Sequence, residues 1–189
     1  MPTVTLIGYR GCGKSTVAAG LAERLGCSWV DADDVLEAET GTSITAFIAA
    51  MGEPAFRDLE TTVLERLLAK GPGVLATGGG VVLRESNRRL LRTAGRPVVW
   101  LAAPAEVLRQ RLAADPSTAS RRPALGGGDV LDEVAAAVAA REPLYLAVAD
   151  AMIDVSAAPP EVIVTRIAAW LADDPRHERI PTSAPEPIP

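Results

Sequence analysis

The residues best suited to chemistry lie near the start of the chain, in the segment GYRGCGKS at residues 8–15. It fits the spacing G-x-x-x-x-G-K-[ST] in full. In such a loop the glycines let backbone N–H groups point at phosphate oxygens, and the following helix adds its positive N-terminus. The lysine reaches the terminal phosphates, and the Ser hydroxyl can ligate Mg²⁺. The motif therefore predicts a site for ATP or GTP, with contacts from Gly11, Cys12, Gly13, Lys14, Ser15 and Thr16.

Two aspartates, Asp31 and Asp33, follow the second predicted strand. In a parallel sheet this strand end lies beside the phosphate loop. Strand alternation would send the two carboxylates in different directions, so that one could face Mg²⁺ and the other an acceptor hydroxyl. A solvated turn with a helix N-cap is the alternative interpretation, and for an isolated pair it is the commoner one.

Three further features could bind a small anion. Arg57 and Glu60 are three residues apart on a predicted helix, and an arginine held by a carboxylate is preorganised for a planar anion. The triple glycine at residues 78–80 follows a buried strand and allows a ligand close to the backbone. Arg141 stands two residues before Pro143, which should disturb a helix. A surface ion pair, a tight turn and a solvent-facing arginine are the respective alternatives.

Short apolar runs that alternate with helical periodicity must position these groups. We predict strands near residues 3–7, 28–30, 73–77, 97–101 and 152–154. We predict helices near residues 14–25, 85–93, 104–114 and 162–171, a helix from residue 130, and two helical stretches between residues 34 and 73. This order is typical of a parallel sheet with helices on both faces and a site at the carboxyl ends of the strands.

Two segments break this order. Residues 115–129 combine Pro, Ser, Thr and three glycines with Arg121, Arg122 and Pro123, and a loop of this length in a compact domain is commonly functional or disordered. From residue 173 onward, five prolines in 17 residues indicate a disordered tail. The chain is therefore predicted to be one domain at residues 1–172 followed by a proline-rich tail at 173–189.

Composition excludes several classes of function. The 189 residues are 48% hydrophobic and 23% charged, as in a globular domain, and the net charge of −5 argues against a nucleic-acid partner. No apolar run is long enough to span a membrane, and the strand pattern begins so early that we expect no signal peptide and a cytoplasmic protein. Two cysteines make no disulfide framework, and the single histidine, His177, excludes a multi-histidine metal site.

Taken in order, these motifs resemble the shikimate kinase family from Thr3 to about Leu171. The resemblance rests on the phosphate loop, Asp31-x-Asp33, Phe56-Arg57-x-x-Glu60, the triple glycine, Arg122-Pro123 and Arg141-x-Pro143-Leu144-Tyr145. It implies an α/β, three-layer P-loop fold of the nucleoside-monophosphate-kinase type, with a five-stranded parallel sheet and a mobile lid at about 115–129. It also implies transfer of the ATP γ-phosphoryl group to the 3-hydroxyl of shikimate, for aromatic amino-acid biosynthesis. The implied partners are ATP, Mg²⁺ and shikimate, with no nucleic acid or membrane, and we expect a monomer.

The resemblance also implies roles for acceptor-binding residues, in a segment at about 31–62 and beyond it. Asp33 matches the carboxylate that hydrogen-bonds the acceptor hydroxyl and serves as base. Arg57 and Arg141 match the pair that grips the carboxylate of shikimate, and Gly79 and Gly80 line the same pocket.

On the nucleotide side, Ser15 and Asp31 match the Mg²⁺ shell, Asp31 through water, and Lys14 is counted as catalytic. Arg122 matches the lid arginine that closes onto the transferring phosphate; its neighbour Arg121 leaves the register open by one residue. The candidates for the adenine contacts are Arg109, Arg111 and Pro160, with Pro159 as an alternative to the last.

Two rival interpretations stay open at this stage. A gluconate kinase shares the loop and the fold, and its substrate is also a hydroxylated carboxylate that arginines could grip. The ordered set of Asp-x-Asp, triple glycine and Arg-x-Pro-Leu-Tyr argues against this rival. A nucleotide-binding regulatory module that has lost catalysis is the rival outside the kinases, although Lys14, Asp33 and both substrate arginines are present.

Overall fold

Parallel strands alternate with helices in the computed structural model, which describes residues 3–114, 130–173 and 186–187. Five of the strands are β1 (Val4–Ile7), β2 (Trp29–Asp31), β3 (Val74–Ala76), β4 (Val98–Ala102) and β5 (Ala151–Asp154). The helices are α1 (Lys14–Leu25), α2 (Ala32–Thr40), α3 (Ile44–Lys70), α4 (Glu85–Ala94), α5 (Ala105–Ala114), α6 (Val130–Leu146) and α7 (Pro160–Asp173), with a 3₁₀ turn at Val81–Leu83.

The predicted five-stranded parallel sheet is confirmed, in the order β2-β3-β1-β4-β5. A sixth strand, β6 (Glu186–Pro187), pairs with β5 in parallel. The sequence does not predict β6, because two residues show no alternation and one of them is a proline, which a sheet tolerates mainly at an edge. The other tail residues and the predicted lid at 115–129 lie outside the described residues.

Alternation along the strands divides the core into two layers. Val4 and Leu6 of β1 pack into the layer that includes Leu21 of α1, whereas Ile7 packs into the layer that includes Phe56 of α3. All five side chains are buried. The sheet is therefore covered on both faces, which leaves the carboxyl ends of the strands as the edge at which polar side chains can gather.

Helix α3 is two helical segments joined at Gly52, where φ is 83° and ψ is 159°. Only glycine adopts such angles without strain, so the helix axis changes direction there. Pro54 is tolerated because it lies in the first turn after the break. The second segment buries Phe56 and Val63 in the core, and it also buries Arg57.

Helix α6 continues through Pro143 to Leu146, so the expectation that this proline disturbs the helix is wrong. Among the residues that the structure describes, no helix is both long and apolar enough to span a membrane.

Candidate active site

The phosphate loop connects the end of β1 at Ile7 to the start of α1 at Lys14. Gly13, at the helix N-cap, has a φ of 89°, which requires glycine. A side chain at Gly8 would lie 2.5 Å from the carbonyl oxygen of Leu101, so the loop packs directly on the end of β4. Gly11 lies in this loop, and Ser15 and Thr16 lie in the first turn of α1, as predicted.

The buried Lys14 ammonium is fixed against the loop that it belongs to. Its Nζ donates to the carbonyl oxygens of Gly8 at 2.9 Å and Tyr9 at 3.1 Å, and it lies 3.7 Å from the Sγ of Cys12. Cys12 is a free, buried thiol. Two backbone carbonyl groups therefore hold at the phosphate loop the lysine ammonium that the sequence analysis expects to bind the terminal phosphates.

Ser15 and Asp31 meet at the start of α1. The Ser15 hydroxyl donates to Oδ2 of Asp31 at 2.5 Å, and Oδ1 of Asp31 accepts from the backbone N–H of Asp33 at 2.9 Å as the N-cap of α2. Asp31 therefore caps a helix and also faces the loop. The expectation that strand alternation separates the two aspartates is wrong, because Asp33 lies in the first turn of α2 and not on β2.

The carboxylates of Asp33 and Glu60 both pack against the triple glycine that follows β3. A Cβ at Gly78 would lie 2.7 Å from Oδ1 of Asp33 and 2.9 Å from Oε1 of Glu60, so both carboxylates pack against this glycine. Oε1 of Glu60 is buried and has no hydrogen-bond partner among the described residues. An acceptor hydroxyl placed here would meet oxygen atoms able to receive its proton.

Arg57 is buried between two carboxylates of its own helix. Nη1 donates to Oε2 of Glu60 at 2.8 Å, which confirms the predicted pairing, and Nη2 donates to Oε1 of Glu53 at 3.0 Å. Burial is the largest influence on the pKa of Arg57 and lowers it, but Glu60 and Glu53 together outweigh burial, so the pKa lies above its usual value. The guanidinium stays charged and packs on Gly80, where a Cβ would lie 2.3 Å from Nη1.

The carbonyl oxygen of Gly79 accepts two side-chain hydrogen bonds from α6. Tyr145 donates its hydroxyl at 2.6 Å, and Arg141 donates Nη1 at 3.3 Å while its guanidinium lies 5.1 Å from the centre of the Tyr9 ring. Burial raises the pKa of the Tyr145 hydroxyl, which keeps it a donor. The predicted substrate residues Asp33, Arg57, Gly79, Gly80 and Arg141 are thus brought together.

Sequence reasoning assigned no role to Tyr145 or Glu53. Each lies four residues from a predicted arginine on the same helix, Tyr145 after Arg141 and Glu53 before Arg57. That spacing places two side chains on one helix face and could have identified both.

The three candidates for adenine contacts lie in different surroundings. Arg111 donates to the carbonyl oxygen of Val155 at 2.6 Å, just after β5, and Pro160 lines a groove together with Thr16 of α1. Arg109 pairs with Glu106 on the exposed face of α5. Arg122 and Arg121 lie outside the described residues. In the described part of the chain, no three His, Cys, Asp or Glu side chains cluster as a metal site.

Comparisons with known proteins agree with this geometry. The family model described as Shikimate kinase matches residues 10–172. The shikimate kinase of Rhodopirellula baltica is 46% identical over 162 residues, which is 86% of this chain and 86% of that protein. The shikimate kinase of Nitratidesulfovibrio vulgaris is 44% identical over 169 residues, covering 89% and 95% of the two chains. The solved structure of the shikimate kinase from Acinetobacter baumannii in complex with shikimate aligns with a TM-score of 0.83 at 33% identity, over 91% of this chain and 93% of that one. By its sequence and its fold, this chain belongs to the shikimate kinase family.

Proposed function

We propose that this protein transfers the γ-phosphoryl group of ATP to the 3-hydroxyl of shikimate, giving shikimate 3-phosphate and ADP. The observation that carries the proposal is the position of Gly79. Its carbonyl is bound by Tyr145 and Arg141, and a Cβ there would lie 3.0 Å from the backbone nitrogen of Arg10 in the phosphate loop. The acceptor side and the phosphate side of the site are therefore in direct contact.

On the acceptor side, Arg57 and Arg141 bind the carboxylate of shikimate and so fix the orientation of the ring. Asp33 accepts a hydrogen bond from the 3-hydroxyl and takes its proton as the new O–P bond forms. Glu60 holds Arg57, and its buried Oε1 offers a second acceptor beside Asp33. Phosphoryl transfer depends mostly on positioning and electrostatics, so this arrangement supplies what the reaction needs.

On the nucleotide side, the loop N–H groups and Lys14 bind the phosphates, and Thr16 lies next in α1. The Ser15 hydroxyl and the Asp31 carboxylate, in contact at 2.5 Å, are the hard oxygen donors that suit Mg²⁺. When bound, Mg²⁺ neutralises charge on the phosphates. Arg122 as the lid arginine, and the adenine contacts of Arg111 and Pro160, belong to the same proposal. A monomer and a cytoplasmic location stay predictions from the sequence.

An ADP-release assay with shikimate, gluconate, quinate and AMP offered separately tests the function. We expect ADP with shikimate and Mg²⁺, little ADP when Mg²⁺ is omitted, and no ADP with AMP or gluconate. Lys14→Ala, purified in parallel, is the matched control for contaminating host kinases. ADP with gluconate or AMP but not with shikimate would overturn the proposal, and no ADP with any acceptor would favour a regulatory module.

A further inference from the structure

Two carboxylates occupy three donor nitrogens of Arg57 in this structure. Glu60 accepts from Nη1 at 2.8 Å, and a single oxygen of Glu53, Oε1, accepts from Nε at 3.2 Å and from Nη2 at 3.0 Å. Nε and Nη2 form the side-on edge of the guanidinium, which binds a planar carboxylate through two parallel hydrogen bonds. Glu53 therefore occupies an edge that suits an incoming carboxylate.

The end of the Arg57 guanidinium between Nη1 and Nη2 is less open to a substrate carboxylate. Nη1 and Nη2 lie against Gly80, where even a Cβ would be 2.3 Å and 2.7 Å from them. The backbone of Gly80 therefore crowds the end-on approach. A substrate carboxylate that is to receive two hydrogen bonds from Arg57 has to take the edge that Glu53 holds.

The two carboxylates differ in how readily they can leave. The side chain of Glu60 is 4% exposed, so releasing it from Arg57 would leave a buried charge without its partner. The side chain of Glu53 is 40% exposed, so on release it is hydrated by water. Glu53 also directly follows the break in α3 at Gly52, where the backbone is not helical. Rotation about its own side-chain bonds turns the carboxylate outward with no change in the backbone.

Charge counting favours such a release when an anion binds. Among the described side chains that touch Arg57 or the triple glycine, Arg57 and Arg141 are positive, whereas Asp33, Glu53 and Glu60 are acidic. A carboxylate substrate would add a fourth negative charge to two positive ones. If Glu53 moves into solvent as the substrate binds, the local charge stays unchanged.

We propose that Glu53 is a competing carboxylate that occupies the side-on edge of Arg57 until the carboxylate of the acceptor displaces it. The inference rests on the proposed function, because it requires an acceptor with a carboxylate. Glu53 is then a specificity residue. An acceptor with a charged carboxylate replaces both hydrogen bonds that Glu53 made, whereas a neutral hydroxylated ring leaves Glu53 in place and gains nothing from Arg57.

The test is Glu53→Gln, which keeps the shape of the side chain and removes its charge. We expect the Kd of shikimate, measured by calorimetry, and its KM to fall about two- to tenfold, the range of a partly exposed charged pair. The kcat and the KM for ATP should stay within about twofold. Asp58→Asn is the matched control, because Asp58 lies on the same helix and pairs with Arg84 at 2.6 Å. It removes the same charge and should leave the Kd of shikimate unchanged.

The neutral methyl ester of shikimate separates this role from a general structural effect. Glu53→Gln should tighten binding of the acid and leave binding of the ester unchanged. A higher Kd for shikimate would mean that Glu53 braces Arg57, and an unchanged Kd would mean that it does not compete; either result overturns the proposal. Glu53→Ala serves as a second variant with the same expected direction. If wild-type protein releases no ADP with shikimate, the proposed function itself has failed, whatever these variants do.

Discussion

Replacing Gly80 by alanine is the sharpest test of how the acceptor side is built. Gly80 has a φ of −100° and a ψ of 2°, which alanine also adopts, so the substitution introduces no backbone strain. The added Cβ would lie 2.3 Å from Nη1, 2.7 Å from Nη2 and 2.8 Å from Cζ of Arg57. The three atoms nearest to the methyl group all belong to this one guanidinium, so the severest overlap is with Arg57.

The size of the effect on stability and on the KM for shikimate follows from these contacts. Ordinary van der Waals contact begins near 3.4 Å, so the guanidinium must retreat by about 1 Å. Arg57 is buried and bound to Glu60 at 2.8 Å, so the retreat strains a charge-assisted hydrogen bond and lowers the free energy of unfolding by about 1–3 kcal/mol. A displacement of about 1 Å in a positioning group can cost about 10²-fold in activity. We expect the KM for shikimate to rise about 10- to 100-fold, with the KM for ATP nearly unchanged.

Coupled ADP-release kinetics with each substrate varied in turn would measure both constants, and thermal denaturation would measure stability. Gly20→Ala is the control, because it adds the same methyl group in α1 against Val164, away from Arg57. A folded Gly80→Ala variant with a KM for shikimate within twofold of wild type would refute the reasoning. An equal rise in the KM for ATP would do so as well.

Three further substitutions probe other parts of the site. Asp33→Asn keeps the shape of the side chain but cannot take the proton, so kcat should fall at least about 100-fold while calorimetry still detects ATP binding; a kcat within a few-fold of wild type would shift the role to Asp31. Arg57→Ala should mainly raise the KM for shikimate in the same kinetics, and a matching rise in the KM for ATP would contradict its assignment to the acceptor. Tyr145→Phe removes the 2.6 Å hydrogen bond to Gly79, so the free energy of unfolding should fall by about 1–2 kcal/mol in chemical denaturation and the KM for shikimate should rise a few-fold. If neither quantity changes, Tyr145 does not hold Gly79 in place.

The sheet and its helices could be predicted because each element has a strong local signal. Apolar runs of β length alternate with helical periodicity, and α1 is bounded by Gly13 and Gly26, both with left-handed backbone angles. The strand β6 could not be predicted, because its pairing with β5 is a long-range contact of two residues without a pattern of their own. Helix α6 continues past Pro143, against expectation, because the buried Tyr145 stabilises the turn that follows this proline.

The candidate site was predictable in its residues but not in its contacts. Motif spacing identified Asp33, Arg57 and the triple glycine. It attributed the different directions of the Asp31 and Asp33 side chains to strand alternation, but these residues differ because α2 begins between them. No local signal indicates that Gly78 packs on two carboxylates or that Gly80 packs on Arg57, because α3 and β3 meet only in the folded chain. Glu53 was missed because one carboxylate had already been assigned to Arg57.

Backbone groups, more than flexible side chains, set the distance between the two halves of this site. The peptide of Gly79 is held by Tyr145 and Arg141 on one side, and its Cα packs near Arg10 of the phosphate loop on the other. The phosphate loop is in turn anchored on the end of β4 through Gly8. A reaction in which the enzyme contributes mainly alignment of acceptor and phosphate benefits from such a short, rigid path, because few rotatable bonds separate the two reacting groups. The glycines of this pocket serve that path, because the absence of a Cβ lets two backbone segments and two charged groups approach to contact distance.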